Sequence, residues 1–154
     1  MKKIIFALMG LAMLSCTTET IGGDYDPDTI KTSADAVTLT NENLTAEITT
    51  EGKRWLFLEL EVDGKTYPLP EGEALPDEID VELPSGYLIK ASTIEGLMNG
   101  WEFVTEISCD WVTITRTLQS ITFTATATEI DKPLTLKLRI QDRDYSEPIT
   151  VTKL

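Results

Sequence analysis

The chain has no histidine, and that absence removes more chemistry than any other feature of its composition. Ser-His-Asp and Cys-His nucleophile schemes lack their base, and zinc sites lack their usual nitrogen ligand. Cysteine is scarce as well, at two residues in 154. Basic side chains number 13 against 26 acidic ones, a formal net charge of −13. Such a surface repels phosphate backbones and anionic headgroups, which argues against nucleic acid as a partner. The most apolar run, Ile4 to Leu14, falls well short of the roughly 20 residues that a bilayer-spanning helix needs. No segment sustains a 3.6-residue apolar period, and Ser92 to Asn99 offers one helical turn at most.

That short apolar run has a leader's shape. Lys2 and Lys3 form a positive n-region, Ile4 to Leu14 an apolar h-region, and cleavage is expected to remove the segment. Its end, Met13-Leu14-Ser15-Cys16, resembles the lipobox of secreted lipoproteins, with Met13 where Leu is usual. The bland alternative is an ordinary signal peptide, or a fusion scar, with a chance cysteine. The resemblance implies that Cys16 becomes the N-terminus and carries a diacylglycerol thioether and an amide-linked acyl chain. Acyl carbons contribute about 0.8 kcal/mol per buried CH₂, and stable anchoring takes more than one chain. The expected address is the cell envelope, as an outer-membrane lipoprotein whose membrane contact runs through the anchor. Surface lipoproteins of the Bacteroidetes often carry acidic residues just after the lipidated cysteine. Here only Glu19 lies close, which leaves surface display open.

Residues 17–33 are polar and rich in Gly and Asp, and they read as a flexible acidic linker. Within them, Asp24-Tyr25-Asp26-Pro27-Asp28 has the alternating carboxylates of a calcium loop. No Gly and distal Glu follow at the required spacing, and Pro27 intrudes, so a tether is the better reading and no metal is expected.

Residues 34–154 read as one β domain. Ser120 to Thr128 alternates hydroxyls with Ile121, Phe123, Ala125 and Ala127, a period of two that marks a half-buried strand. Leu134, Leu136, Leu138 and Ile140 repeat the pattern, and Val37, Leu39, Leu44, Ala46 and Ile48 suggest two earlier strands. Trp55 to Val62 forms another, closed by Asp63-Gly64, a type I′ hairpin signal because both central residues need positive φ. Lys65-Thr66-Tyr67 then returns antiparallel, and Pro68 to Glu78 reads as a solvated loop. Further strands are expected at Ile79–Leu83, Tyr87–Lys90, Trp101–Ile107, Trp111–Thr115 and Ile149–Thr152. This spacing predicts an all-β fold, an immunoglobulin-like β-sandwich of about 7–10 short antiparallel strands, with a β-barrel as runner-up.

The last third resembles a known family. Cys109-Asp110-Trp111-Val112-Thr113-Ile114, then Ser120 to Thr128, Leu134 to Ile140, and Glu147-Pro148-Ile149-Thr150-Val151-Thr152-Lys153 follow one another as at the end of a BACON-type domain. That is the Bacteroidetes-associated immunoglobulin-like module. Lys153 stands where Gln is usual, and Asp131-Lys132-Pro133 replaces the customary Asn-Thr-Gly turn. Upstream, Gly52 to Leu58 with Val62-Asp63-Gly64 is similar to a tryptophan strand and hairpin of related small lipoproteins. The resemblance implies a seven-stranded sandwich serving as a spacer or binding module on glycan-processing surface machinery.

Function is less legible than fold. Trp101, after the Asn99-Gly100 turn, and Tyr67 and Tyr87, beside the proline-rich loop, are the candidates for stacking a sugar ring. Trp55 and Trp111 open apolar or alternating strands and are expected in the core. Cys109 is left without an intramolecular partner once Cys16 is lipidated. Its position in a strand-like run, 107–111, favours a small hydrophobe over a reactive thiol. Glu71, Glu73, Asp77, Glu78, Asp80 and Glu82 form an acidic cluster expected to keep an exposed sheet edge unpaired. Carboxylate pairs are also the tools of glycoside hydrolysis, yet no pair here is marked by a partner base. The expectation is a non-catalytic display or interaction module without cofactors, its partner an envelope protein or, in the alternative, a glycan.

Overall fold

The computed structural model describes residues 30–76 and 79–154. The leader, Cys16 and the Asp24–Asp28 run lie outside the described residues. Eleven strands and no helix appear among those described. The first five are β1 (Ala36–Leu39), β2 (Thr45–Thr49), β3 (Leu56–Val62), β4 (Lys65–Pro68) and β5 (Glu71–Glu73). The rest are β6 (Leu88–Ser92), β7 (Trp101–Ser108), β8 (Val112–Arg116), β9 (Ser120–Ala125), β10 (Leu134–Asp142) and β11 (Tyr145–Lys153).

The strands form two packed sheets, a β-sandwich. One runs β1-β11-β10-β3-β4 and the other β2-β9-β8-β7-β5, with β6 also on β7. Neighbours are antiparallel except β1, which lies parallel to β11. Setting β5 to β7 aside, the two sheets reproduce the immunoglobulin grouping, with β2, β9 and β8 against β11, β10, β3 and β4. β5, β6 and β7 extend the second sheet beyond β8. Phe103 of β7 pairs with both Glu71 and Ser92, so β5 and β6 occupy opposite edges of that strand.

Alternation explains the core. Ile121 and Phe123 of β9, Ile114 of β8, Leu138 and Ile140 of β10, and Ile149 and Val151 of β11 are all fully buried. Each such side chain contributes about 1.5–3 kcal/mol through water removed from apolar surface. The hairpin between β3 and β4 closes as its sequence requires, with φ of +51° at Asp63 and +78° at Gly64. Trp55 and Trp111 lie in the core, as expected.

Several expectations are corrected. One strand, β5, forms inside the segment read as a solvated loop. Leu69 causes this: it is buried, and its N–H donates to Leu58 O at 2.9 Å. The chain thereby crosses from the first sheet to the second, and Glu71 and Glu73 are the exposed ends of a three-residue strand that pairs with β7 and forms an open edge of that sheet. Ile79–Leu83 alternates in sequence but forms no strand. Cys109 sits in the hairpin between β7 and β8 instead of in a strand, its N–H bonded to Val112 O at 2.9 Å. The packed body also includes Ile30, which composition had grouped with the linker. Ile30 is fully buried, and its carbonyl accepts from Glu51 and Gly52 N–H.

Candidate functional site

Loops at one end of the sandwich enclose a cleft of about 790 Å³. The β3–β4 hairpin supplies Asp63, Lys65 and Tyr67, and the approach to β6 supplies Gly86 and Tyr87. The β7–β8 hairpin contributes Cys109, Asp110 and Trp111, and the crossover from β9 to β10 adds Glu129, Lys132 and Pro133. A smaller hollow of about 600 Å³ adjoins it along 129–134. Sequence reasoning named Tyr67 and Tyr87 together with Trp101, and the fold brings the two tyrosines into one cleft. Trp101 lies elsewhere, at the start of β7, where it pairs with Glu73 and is only half-buried. β7 ends at Ser108, beside the cleft, so eight residues of strand at about 3.4 Å each separate Trp101 from the tyrosines.

The cleft floor is a polar cluster on an apolar base. Tyr87, Cys109, Trp111 and Asp63 all line the cleft. Burial pushes the Tyr87 phenol above its ordinary range, and the neighbouring Cys109 and Asp63 add to that, against a smaller opposing effect of Trp111. A raised folded pKa means that the folded state holds the proton more tightly than the unfolded state does. The contribution is therefore fully present below the unfolded value of about 10 and is lost as pH climbs through the raised one. The expected result is one tyrosine that ionises after the rest in an alkaline absorbance titration, a step absent in Tyr87→Phe. A titration with all tyrosines ionising together would refute the burial of this phenol.

The lining is also charged. Lys65 bonds Glu82, which raises its pKa, and its ammonium sits 5.0 Å from the Tyr67 ring centroid. Asp63, Asp110, Glu129 and Lys132 add charges of both signs to the lining. Such a surface offers aromatic faces for an apolar ring and acceptors for hydroxyls. No group of three or more Cys, Asp or Glu that could hold a metal ion occurs among the described residues. No helix there is long and apolar enough to cross a membrane.

Sequence reasoning missed a buried cation at the other end. Arg116 closes β8 in phase with Val112 and Ile114, and alternation alone would have turned it inward. It is 7% exposed, and its guanidinium carbon lies 3.5 Å from the Trp55 ring centroid. Its Nη1 donates to Trp55 O at 2.6 Å and its Nε to Thr117 O at 3.3 Å. Burial lowers its pKa to about 9, still protonated at neutral pH. Lys153 follows the same logic on β11. Its stem is fully buried in phase with Ile149 and Val151, and its ammonium donates to Asn41 Oδ1 at 2.7 Å.

No family model, curated protein or solved structure matches this chain.

Proposed function

We propose that this chain is a non-catalytic lipoprotein of the cell envelope, held to the outer membrane by lipidated Cys16 and presenting a BACON-like module to a partner protein. The observation that carries the reading is polarity along the sandwich. Ile30, the first described residue, is buried beside Glu51 and Gly52, just before β3 begins. The cleft lies at the far end of β3, past seven residues of strand, about 24 Å away. A tether at one end and a concave, loop-built surface at the other suit a module that offers its free end outward. In fractionated cells, the native protein is expected with the membranes and Cys16→Ser in the soluble fraction. Retention of Cys16→Ser on the membrane would eliminate the anchor.

A second reading, glycan binding, gains from one observation: Tyr67 and Tyr87 share a cleft with three carboxylates. Pyranose rings stack on exposed aromatic faces, and carboxylates accept from vicinal hydroxyls. On this reading Tyr67→Ala weakens binding on a glycan array by about tenfold, the scale of one lost aromatic contact, while Trp101→Ala leaves it unchanged. An array with no binding above background removes the glycan reading and leaves the protein partner.

A further inference from the structure

β6 has a partner strand on one side only. Glu106 of β7 pairs with Lys90 of β6 and with Thr115 of β8, so those two strands take opposite edges of β7. β5 lies on the β8 edge, which leaves β6 outermost on the other. Among the described residues no backbone hydrogen bond reaches the far side of Leu88–Ser92. The irregularity in this pairing inserts Thr105 on the β7 side, and β6 itself runs regular along its length. Such an edge presents a row of unpaired N–H and C=O groups, a template for one more strand.

The side chains of β6 suit an added strand. Ile89 and Ala91 turn toward the core beside buried Ile107 and Val104, yet both remain only half-buried. On the outer face Leu88 is 69% exposed, and Lys90 is already paired with Glu106 at 2.7 Å. β6 also starts at the cleft, since Pro84 to Tyr87 line it immediately ahead of Leu88. A Cβ on Gly86 would lie 3.8 Å from Asp110 Oδ1, which sets that carboxylate beside the approach to the strand. Asp63, Asp110 and Glu129 of the lining enter no ion pair among the described residues. Lys65 is held by Glu82, which leaves Lys132 against three carboxylates, and the place calls for a further cation. A second copy of this chain answers poorly, because two molecules of formal net charge −13 repel.

We propose that the open edge of β6 takes up an extended segment of a partner protein as an added strand, with apolar side chains against Ile89 and Ala91 and a basic side chain in the cleft beside Asp110. Backbone hydrogen bonds along Leu88–Ser92 supply the affinity, and the alternate side chains and the cleft select the segment. The proposal rests on the reading of this domain as a module for a protein partner, and it names the surface used. It is independent of the Cys16 anchor, and each fails only in its own test.

The test adds short capped peptides of alternating valine and lysine to the full chain and follows binding by calorimetry and by amide hydrogen exchange. The parent peptide is expected to bind and to slow exchange at the β6 amides. Two further peptides carry N-methyl groups on alternate backbone nitrogens, one peptide for each edge, with the charge unchanged. One of them should bind within about threefold of the parent and the other at least about tenfold more weakly, as expected for lost backbone hydrogen bonds. Asp110→Asn should weaken the parent peptide about threefold, the scale of a partly exposed ion pair. Equal binding of the two methylated peptides means charge attraction alone and overturns strand addition. Absence of parent binding, or unchanged exchange at β6, overturns it as well. Exchange at β6 that is slow without peptide and quickens as the protein is diluted identifies a second copy as the occupant, and the proposal is then wrong.

Discussion

Trp55→Ala is expected to destabilise the domain by about 3–5 kcal/mol, a large part of the 5–15 kcal/mol by which domains are typically stable. The ring is fully buried, and its centroid lies 5.7 Å from that of Phe57. Its N–H donates to Thr50 Oγ1 at 2.9 Å, so the substitution also strips a buried hydroxyl of its donor. The second consequence concerns Arg116, whose guanidinium would lose the aromatic face beneath it while remaining buried. That places the loss toward the upper part of the range. Trp55→Phe keeps most of the apolar surface and loses the N–H, and it should cost about 1–2 kcal/mol. Urea unfolding separates the two. A loss below 1 kcal/mol for Trp55→Ala would mean that the ring is not packed as described.

Trp111→Ala should cost a similar 3–5 kcal/mol, whereas Trp101→Ala should cost about 1 kcal/mol or less. Trp111 is 7% exposed and packs in the main core, whereas Trp101 is half-buried at a strand start beside the exposed Met98. The same contrast governs fluorescence. Acrylamide should quench mainly Trp101, and Trp101→Phe should leave emission that is blue-shifted and poorly quenched. Losing the Trp111 ring also uncovers the Cys109 and Tyr87 side of the cleft floor. The thiol in Trp111→Ala is accordingly expected to react faster with a disulfide reagent than the native thiol does. Similar unfolding losses at positions 101 and 111 would overturn the assignment of Trp111 to the core and Trp101 to the rim.

The fold was legible where period-two alternation met a partner strand, as in β9 and β10. β9 and β10 lie where Ile121, Phe123, Leu136 and Leu138 predict, since a strand with one buried face can take only one register. The β3–β4 hairpin was legible for a different reason, because Asp63-Gly64 accepts the two positive φ values that the turn demands. Reading failed between Pro68 and Leu83. There a three-residue strand, Glu71–Glu73, owes its existence to pairing with Trp101–Phe103 and not to its own residues. Ile79–Leu83 has the alternation and finds no partner strand. Local pattern measures the wish to pair, and long-range contacts decide whether it is met.

The candidate site divides in the same way. The sequence by itself determined the absence of histidine chemistry, the acidic surface, the β class and the tyrosines worth suspecting, because these follow from residue type and short-range spacing. Only the tertiary structure decided that Tyr67 and Tyr87 line one cleft while Trp101 stands apart, and that Arg116 is buried against Trp55. Tyr67 lies on β4 and Tyr87 twenty residues on, just ahead of β6, and Arg116 lies 61 residues from its carbonyl partner at Trp55. Contacts over such separations depend on how the two sheets stack, and no local rule carries that information.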